Sequence, residues 1–599
     1  MQQKRLLLAL LISVAILFTW SQFFAPPPPT VTQPSASASP SPADPMATAT
    51  PVAATPVPSP SPASVVPPQA EPQAKRVVTI KTPLYEAKLD STGAEVVSWI
   101  IKKNKDSGRE IYSVAGNKNN PVPLELISPE SLNRQPRQVP LQVLTGDAAL
   151  DATLSNSSYL VEGVDSPAGD VELTLNGNER KTVNFSVRDG GSGLDVTKKL
   201  TFDANSYAVD LELNIQRGGQ AVPAKLKIGP SIGDQGIKHY TFYSVAPEGI
   251  ASVNNQVERH TAAAINENKA SPDRLALPGR IDWAAVGDTY FAMAAIPSQQ
   301  LEGLEFRTVQ YDFKVNGTLE KRYLTEAIVP IPTDGAKTIL YVGPKDHFIL
   351  TQDSQQISAA VGHPIDLEGL IDYGWFTWLS RPIAVPILKA IRWLHRITNS
   401  YGVAIILFTI VIYSLFFPLK WRSSKAMKKA QKLAPRMKEL QEKIKGMKQN
   451  DPKLKELQME QLRLMKEGNP LGGCLPLLIQ MPFLFALYRA ITISLDFRQA
   501  SFLWLPDLSA GDPIHILEFL MAGTMIILQL ITPAPSADPM QRKMMAIGMP
   551  LFMLYVLWGA PSGLLVYWLV GNIVGFSQQF LINYLTKTDG EPTPAPAKA

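Results

Sequence analysis

The sequence predicts an α-helical polytopic membrane protein of six spans joined to a large all-β domain outside the bilayer. Three observations predict it. Apolar runs at 6–24, 401–419, 471–493, 514–532, 545–559 and 561–583 approach or reach the ~20 residues that cross a hydrocarbon core. Between the first two runs the hydrophobic period falls to two, the period of half-buried strands. The near-neutral mean hydropathy averages these unlike parts, and 599 residues exceed a single domain.

Lys4 and Arg5 precede the first run as in a secretory signal. The run continues through Trp20, Phe23 and Phe24, and no small-x-small pattern follows closely. An uncleaved signal-anchor is therefore expected at 1–24, against the alternative of a cleaved peptide. Residues 25–75 are rich in Pro, Ala, Ser and Thr, which cannot bury enough apolar surface to offset chain ordering. They read as a partly extended tether.

The β domain is expected at 76–350. Val183, Phe185 and Val187 alternate with polar residues before the turn at Asp189. Val209, Leu211, Leu213 and Ile215 share one face of a second strand, with Asp210, Glu212 and Asn214 on the other, the pattern of an antiparallel strand with one wet face. A large sandwich follows. His239, Glu248 and His260 would be the acid and base of a carbohydrate-active enzyme, but no spacing forces them together, which favours a scaffold.

Residues 372–398 mix Trp375, Trp378 and Trp393 with Lys389, Arg392, His395 and Arg396, and read as an interfacial amphipathic helix. Its cations can reach water or phosphate, and Pro382 and Pro386 predict that the regular helix begins late. The segment 421–468 is basic and carries Met427, Ala430, Ala434, Met437, Leu440, Ile444 and Met447 at helical spacing. A break at 446–451 and Pro452 then open a second helix, giving a hairpin. Its charge suits anionic lipid headgroups, ribosomal RNA or simple solubility, and reads no particular nucleic-acid sequence.

Orientation follows from Lys and Arg placement. Lys4 and Arg5, the segment after Lys420, Arg542 with Lys543, and Lys587 all fall on alternate loops. These are expected to be cytoplasmic, with both termini, including a short tail at 584–599, and the β domain on the opposite side. Cys474 is the only cysteine, which excludes an internal disulfide and a thiolate metal cluster. No Gly-x-x-x-x-Gly-Lys-Ser/Thr loop for a nucleotide is present.

The C-terminal half resembles the YidC family of membrane-protein insertases. The resemblance rests on Asp372-Tyr373-Gly374-Trp375, Phe417-Pro418-Leu419, Asn469-Pro470-Leu471-Gly472-Gly473-Cys474 and Pro476-Leu477-Leu478-Ile479-Gln480-Met481-Pro482. Leu505-Pro506-Asp507-Leu508-Ser509, Asp538-Pro539-Met540-Gln541 and Pro561-Ser562-Gly563-Leu564 follow in order. Tyr341-Val342-Gly343-Pro344-Lys345 and the anchored sandwich resemble the Gram-negative form, which implies a periplasmic β-supersandwich beside a five-helix insertase core at 401–583. The resemblance further implies insertion, folding and assembly of nascent membrane proteins in the bacterial inner membrane, without a cofactor, alone or with the Sec translocon. It also implies ribosome contact through the cytoplasmic loops.

It also implies a polar groove partway across the bilayer. Thr409 and Tyr413 lie four residues apart on one helical face, where both can line it. Gln480, Met481, Pro482 and Tyr567 are further lining candidates. Arg489, Gln529, Asn572 and Gln578 serve either the groove or helix packing. Tyr413 stands where many bacterial members carry an arginine, so a fixed charge at that position is missing. A solute transporter or channel is the alternative, because polar residues within spans also mark solute paths.

Overall fold

A computed structural model describes residues 74–587, except positions 118, 167, 190, 238–245, 269–270, 316, 375–376, 446, 448–451, 469, 533–539 and 541–542. The expected anchor at 1–24, nearly all of the tether, the tail beyond 587, His239 and Trp375 lie outside the described residues. Residues 72–188 and 193–599 cluster as one unit.

Alternating side chains build two sheets between Val77 and Pro344. The smaller has five strands in spatial order Leu124–Glu125, Glu95–Ile101, Tyr85–Asp90, Val77–Lys81 and Val171–Thr174; only the last pair is parallel. The larger has fourteen among the described residues and includes the long hairpin Glu302–Val315 with Thr318–Ile331. In Ala208–Arg217 the predicted inward set Val209, Leu211, Leu213 and Ile215 is buried, and Val183 and Phe185 of Arg180–Asp189 are too. In these two strands period-two patterning became one apolar face, while strands such as Phe291–Pro297 are buried on both faces, and all contribute to a shared core.

Lys198 and Lys345 are among the ammonium groups sunk in this domain. Lys198 Nζ donates to the carbonyls of Ala94 and Leu141, each at 2.7 Å. Lys345 Nζ donates to Asp288 O at 2.8 Å and faces Glu248 at 3.8 Å. Burial pushes both from 10.5 down to about 8, opposed by Glu95 and Glu248 respectively.

The helical part comprises α1 (His347–Val361), α2 (Thr377–Thr398), α3 (Tyr401–Lys445), α4 (Pro452–Gly468), α5 (Pro470–Ile493), α6 (Ile516–Ile531), α7 (Met549–Val556) and α8 (Ser562–Lys587). A π-helical turn, Met544–Gly548, leads into α7. The apolar run at 401–419 and the start of the basic arm form one helix: α3 has 45 residues and passes through Pro418 and Pro435. At 1.5 Å per residue it is about 68 Å long, so span and basic arm share one axis. Side chains bridge to α8 on both sides of Pro418, Gln578 Nε2 donating to Tyr413 O at 2.9 Å and Lys420 Nζ to Gly575 O at 2.7 Å. These ties hold the axis where proline removes a ladder bond.

One sequence expectation is corrected: α2 starts before Pro382 and Pro386 rather than after them. Its stripe Ala384, Ile387, Leu388 and Ile391 is buried, which offsets the two missing bonds. Trp378 and Trp393 remain 75% and 60% exposed on the other face. The hairpin of α3 with α4 breaks at the expected place, and Arg436 meets Glu460 across it at 2.8 Å. Among the described residues Tyr401–Lys445 and Ser562–Thr586 are long and apolar enough to cross a membrane, while Ile516–Ile531 and Met544–Val556 are apolar but shorter.

As pH rises, the folded chain gives up the Lys345 proton from about pH 8, whereas the unfolded chain holds it until about 10.5, so the unfolded state binds more protons in between and stability rises. The stability of the wild type relative to Lys345→Met should therefore increase from about pH 8 to about pH 10. Denaturant titrations of the full chain at both pH values check this, and a pH-independent difference contradicts it.

Candidate functional site

The polar residues of α3, α5 and α8 converge. Tyr413 Oη accepts a hydrogen bond from Gln480 Nε2 at 3.3 Å, and the Tyr413 and Tyr567 rings meet edge-on with centroids 6.1 Å apart. Phe483 of α5 packs beside Tyr567, 6.4 Å between centroids, and stacks with Phe408. The space for the Tyr413 hydroxyl comes from Gly571 on α8. A Cβ there would stand 2.3 Å from Tyr413 Oη and 2.6 Å from its ring.

Hydrogen-bonding capacity is left over. Tyr567 Oη is buried beside Gln480 and Tyr413 without a well-formed bond, and Gln578 Oε1 is likewise buried and unmatched while its amide serves Tyr413 O. Buried polar atoms of this kind cost about 1–3 kcal/mol each unless water or another chain satisfies them. The cluster is therefore a place where an incoming polar group gains partners.

The other expected residues divide. Thr409 is fully buried and its hydroxyl turns back to Ile405 O at 2.6 Å, so it joins neither Tyr413 nor Gln480 in a bond. Met481 is 53% exposed and Pro482 half-buried. Asn572 ties α8 to α6 through Met521 O at 3.3 Å and Thr524 Oγ1 at 3.1 Å, a packing contact. Gln529 is half-buried. Arg489 binds the Asp372 carbonyl and carboxylate near the C-terminal end of α5. Burial would raise the Asp372 carboxyl, but Arg489, then Arg259, hold it below its ordinary value.

Arg392 also departs from expectation. Instead of reaching water it is claimed by Asp106, Asp346 and Asp496. Glu248 and His260 form no acid–base pair: Glu248 binds Arg259 at 2.8 Å, and His260 lies 3.3 Å from Glu258. Sequence reasoning missed Gly571 and the Lys420–Gly575 tie. The signal was present as Gly571-Asn572-Ile573-Val574-Gly575, the small-x-x-x-small spacing that lets helices approach closely.

Residues 77–386 match the family described as YidC periplasmic domain, and residues 393–589 match the 60Kd inner membrane protein family. The chain belongs to the YidC membrane protein insertase family. Its relatives named membrane protein insertase YidC include that of Citrifermentans bemidjiense, 30% identical over 596 residues, covering 97% of this chain and 99% of that one. Another, from Pelobacter propionicus, is 32% identical over 609 residues with the same coverage of both chains, 97% and 99%. A solved structure described as an active YidC insertase with the first transmembrane domain resolved is 17% identical at a TM-score of 0.32, covering 86% of this chain and 94% of that chain. Family membership accounts for a β-rich periplasmic domain beside a helical insertase region.

Gly571→Ala should press its methyl into Tyr413 and lower stability by about 1–3 kcal/mol. Adding Tyr413→Leu, which withdraws the ring, should recover at least half of the loss. Thermal unfolding of the purified single and double variants checks this; an additive double variant contradicts the contact.

Proposed function

We propose that the chain is a membrane insertase and chaperone that assists insertion, folding and assembly of newly made inner-membrane proteins, alone or with the Sec translocon. The reading takes six spans, with both termini and the α3–α4 hairpin in the cytoplasm and the β domain in the periplasm. Nascent membrane proteins are its substrates, anionic lipids and the ribosome its further contacts. The observation that carries it is the Tyr413–Gln480–Tyr567 cluster, polar and incompletely satisfied among the described residues of the helix bundle.

The mechanism follows from solvation. Carrying backbone amides through hydrocarbon costs several kcal/mol per unsatisfied group. A substrate flank resting against Tyr413, Gln480 and Gln578 exchanges hydrogen bonds and shortens its apolar path. Burial of the substrate's own apolar helix in lipid then drives the last step, without nucleotide hydrolysis. Tyr413 offers a donor and an acceptor but no fixed charge, so selection acts through hydrogen bonding rather than through attraction of acidic flanks. The captured chain first meets the hairpin, whose Met459 and Leu462 are exposed for apolar contact.

Purified protein in liposomes, without nucleotide, should insert a small two-span substrate several-fold above empty liposomes, and Tyr413→Arg should keep that activity because a wet groove accommodates the charge. No gain over empty liposomes overturns the reading. Solute uptake with no insertion would favour a transporter instead.

A further inference from the structure

The segment between α5 and α6, residues 494–515, lies across the ends of the bundle opposite the basic hairpin. Gly563 N donates to Leu508 O at 2.8 Å, and Ser562 N to Ala510 O at 2.7 Å, so the segment is stitched to the start of α8. At the start of α3, Tyr401 Oη donates to Asp496 at 3.1 Å, and Phe502 fills the space that a Cβ on Gly402 would need. Asp512 accepts from Leu517 N at 2.8 Å and so closes onto the start of α6. Leu505 and Leu508 are buried beneath.

The outer side of the same segment is held by the β domain through buried charge. Arg498 pairs with Asp234, both almost completely buried, and donates to Tyr112 O at 2.8 Å. Asp234 is fixed in turn by Ser113 Oγ at 2.6 Å and Val114 N at 2.8 Å. Gln499 Nε2 donates to Ser113 O at 3.0 Å, and Arg109 of the β domain donates to Asp496 O at 2.9 Å and to Arg498 O. Buried ion pairs are poor sources of net stability, but they penalise any other arrangement, because separation strands a charge without water.

We propose that residues 494–515 are a seal over the periplasmic end of the bundle and that the β domain serves to clamp that seal shut through Arg498–Asp234 and Arg109. This rests on the insertase reading, since a groove open to the cytoplasm needs a closed far side to keep the membrane tight. The β domain thereby acquires a task that is separate from substrate handling: it prevents ion leak while the groove is occupied.

The test uses the full chain in liposomes holding a pH-sensitive dye, with the insertion assay run on the same preparations. Arg498→Gln and the size-conserving Asp234→Asn should each raise proton leak several-fold over wild type while leaving insertion within two-fold. In a Cys474→Ser background carrying Asp234→Asn, joining Val114→Cys to Gln499→Cys with a short thiol cross-linker should return the leak to the wild-type level. Unchanged leak in Asp234→Asn, or raised leak that the cross-link does not reverse, overturns the proposal. Loss of insertion in the wild type would instead strike the insertase reading, and the leak comparison would still decide the clamp.

Discussion

One guanidinium joins the parts of this molecule. Arg392 on α2 is bound by Asp106 from the β domain, Asp346 at the start of α1 and Asp496 from the segment after α5, at 2.5 to 2.6 Å. Burial works to discharge it, but Asp346, Asp496 and Asp106 together hold it charged well above the ordinary arginine range. Removing one partner of such a buried set costs about 3–5 kcal/mol, because the remaining charges lose both water and counter-charge. Helix α2 is thereby fixed against the β domain and the inter-helix segment together. The segment in turn touches the first turns of α3 and α8, the helices that carry Tyr413 and Tyr567. The cation–π contact of Arg392 over Phe348, 3.9 Å to the centroid, adds a planar constraint to the ionic one.

Below this junction the bundle shows large apolar side chains on its outside and admits polar ones to its inside. Val411 and Leu415 are 61% and 70% exposed on α3, and Phe580 and Tyr584 are exposed on α8, while Tyr413, Gln578, Gln579 and Ser424 turn inward. Polar contacts continue down the α3–α8 seam, with Gln579 reaching Ser424 at 3.2 Å and Lys428 reaching Thr586 at 2.6 Å. An apolar exterior, with polar side chains placed where helices meet, is the arrangement that lipid as solvent selects. It also explains how a polar cluster is maintained: the helices that flank it are bonded to one another beneath it.

The parts of the fold that depend on local periodicity were legible in the sequence. Alternation at Val209–Ile215 marked a one-faced strand, and Pro452 marked the start of α4. Polar residues inside apolar runs pointed to Tyr413, Gln480 and Tyr567, which the fold brings together. What stayed hidden depends on partners far away in the chain. Arg498 and Asp234 are 264 residues apart, so nothing near either one announces the pair. Arg489 read as a groove or helix-packing residue, and its ion pair with Asp372, 117 residues away, was not legible. The continuation of α3 through Pro418 was hidden for the same reason, since the flanking ties of Gln578 and Lys420 join helices more than 150 residues apart in the chain. Thr409 read as a partner of Tyr413 by spacing, but a threonine hydroxyl with no better acceptor returns to its own helix, and here it does.

The central claim is that a substrate's polar flank rests against the Tyr413–Gln480–Tyr567 cluster. Site-specific photo-cross-linking with a stalled nascent membrane segment tests it most directly, with the photoreactive residue placed in turn at Tyr413, Tyr567 and Thr409. The account predicts strong substrate adducts from Tyr413 and Tyr567, whose rings meet in the cluster, and weak ones from Thr409, whose hydroxyl is turned back onto its own helix. Adducts only to neighbouring helices from the two tyrosine positions would contradict it and leave the cluster as helix packing.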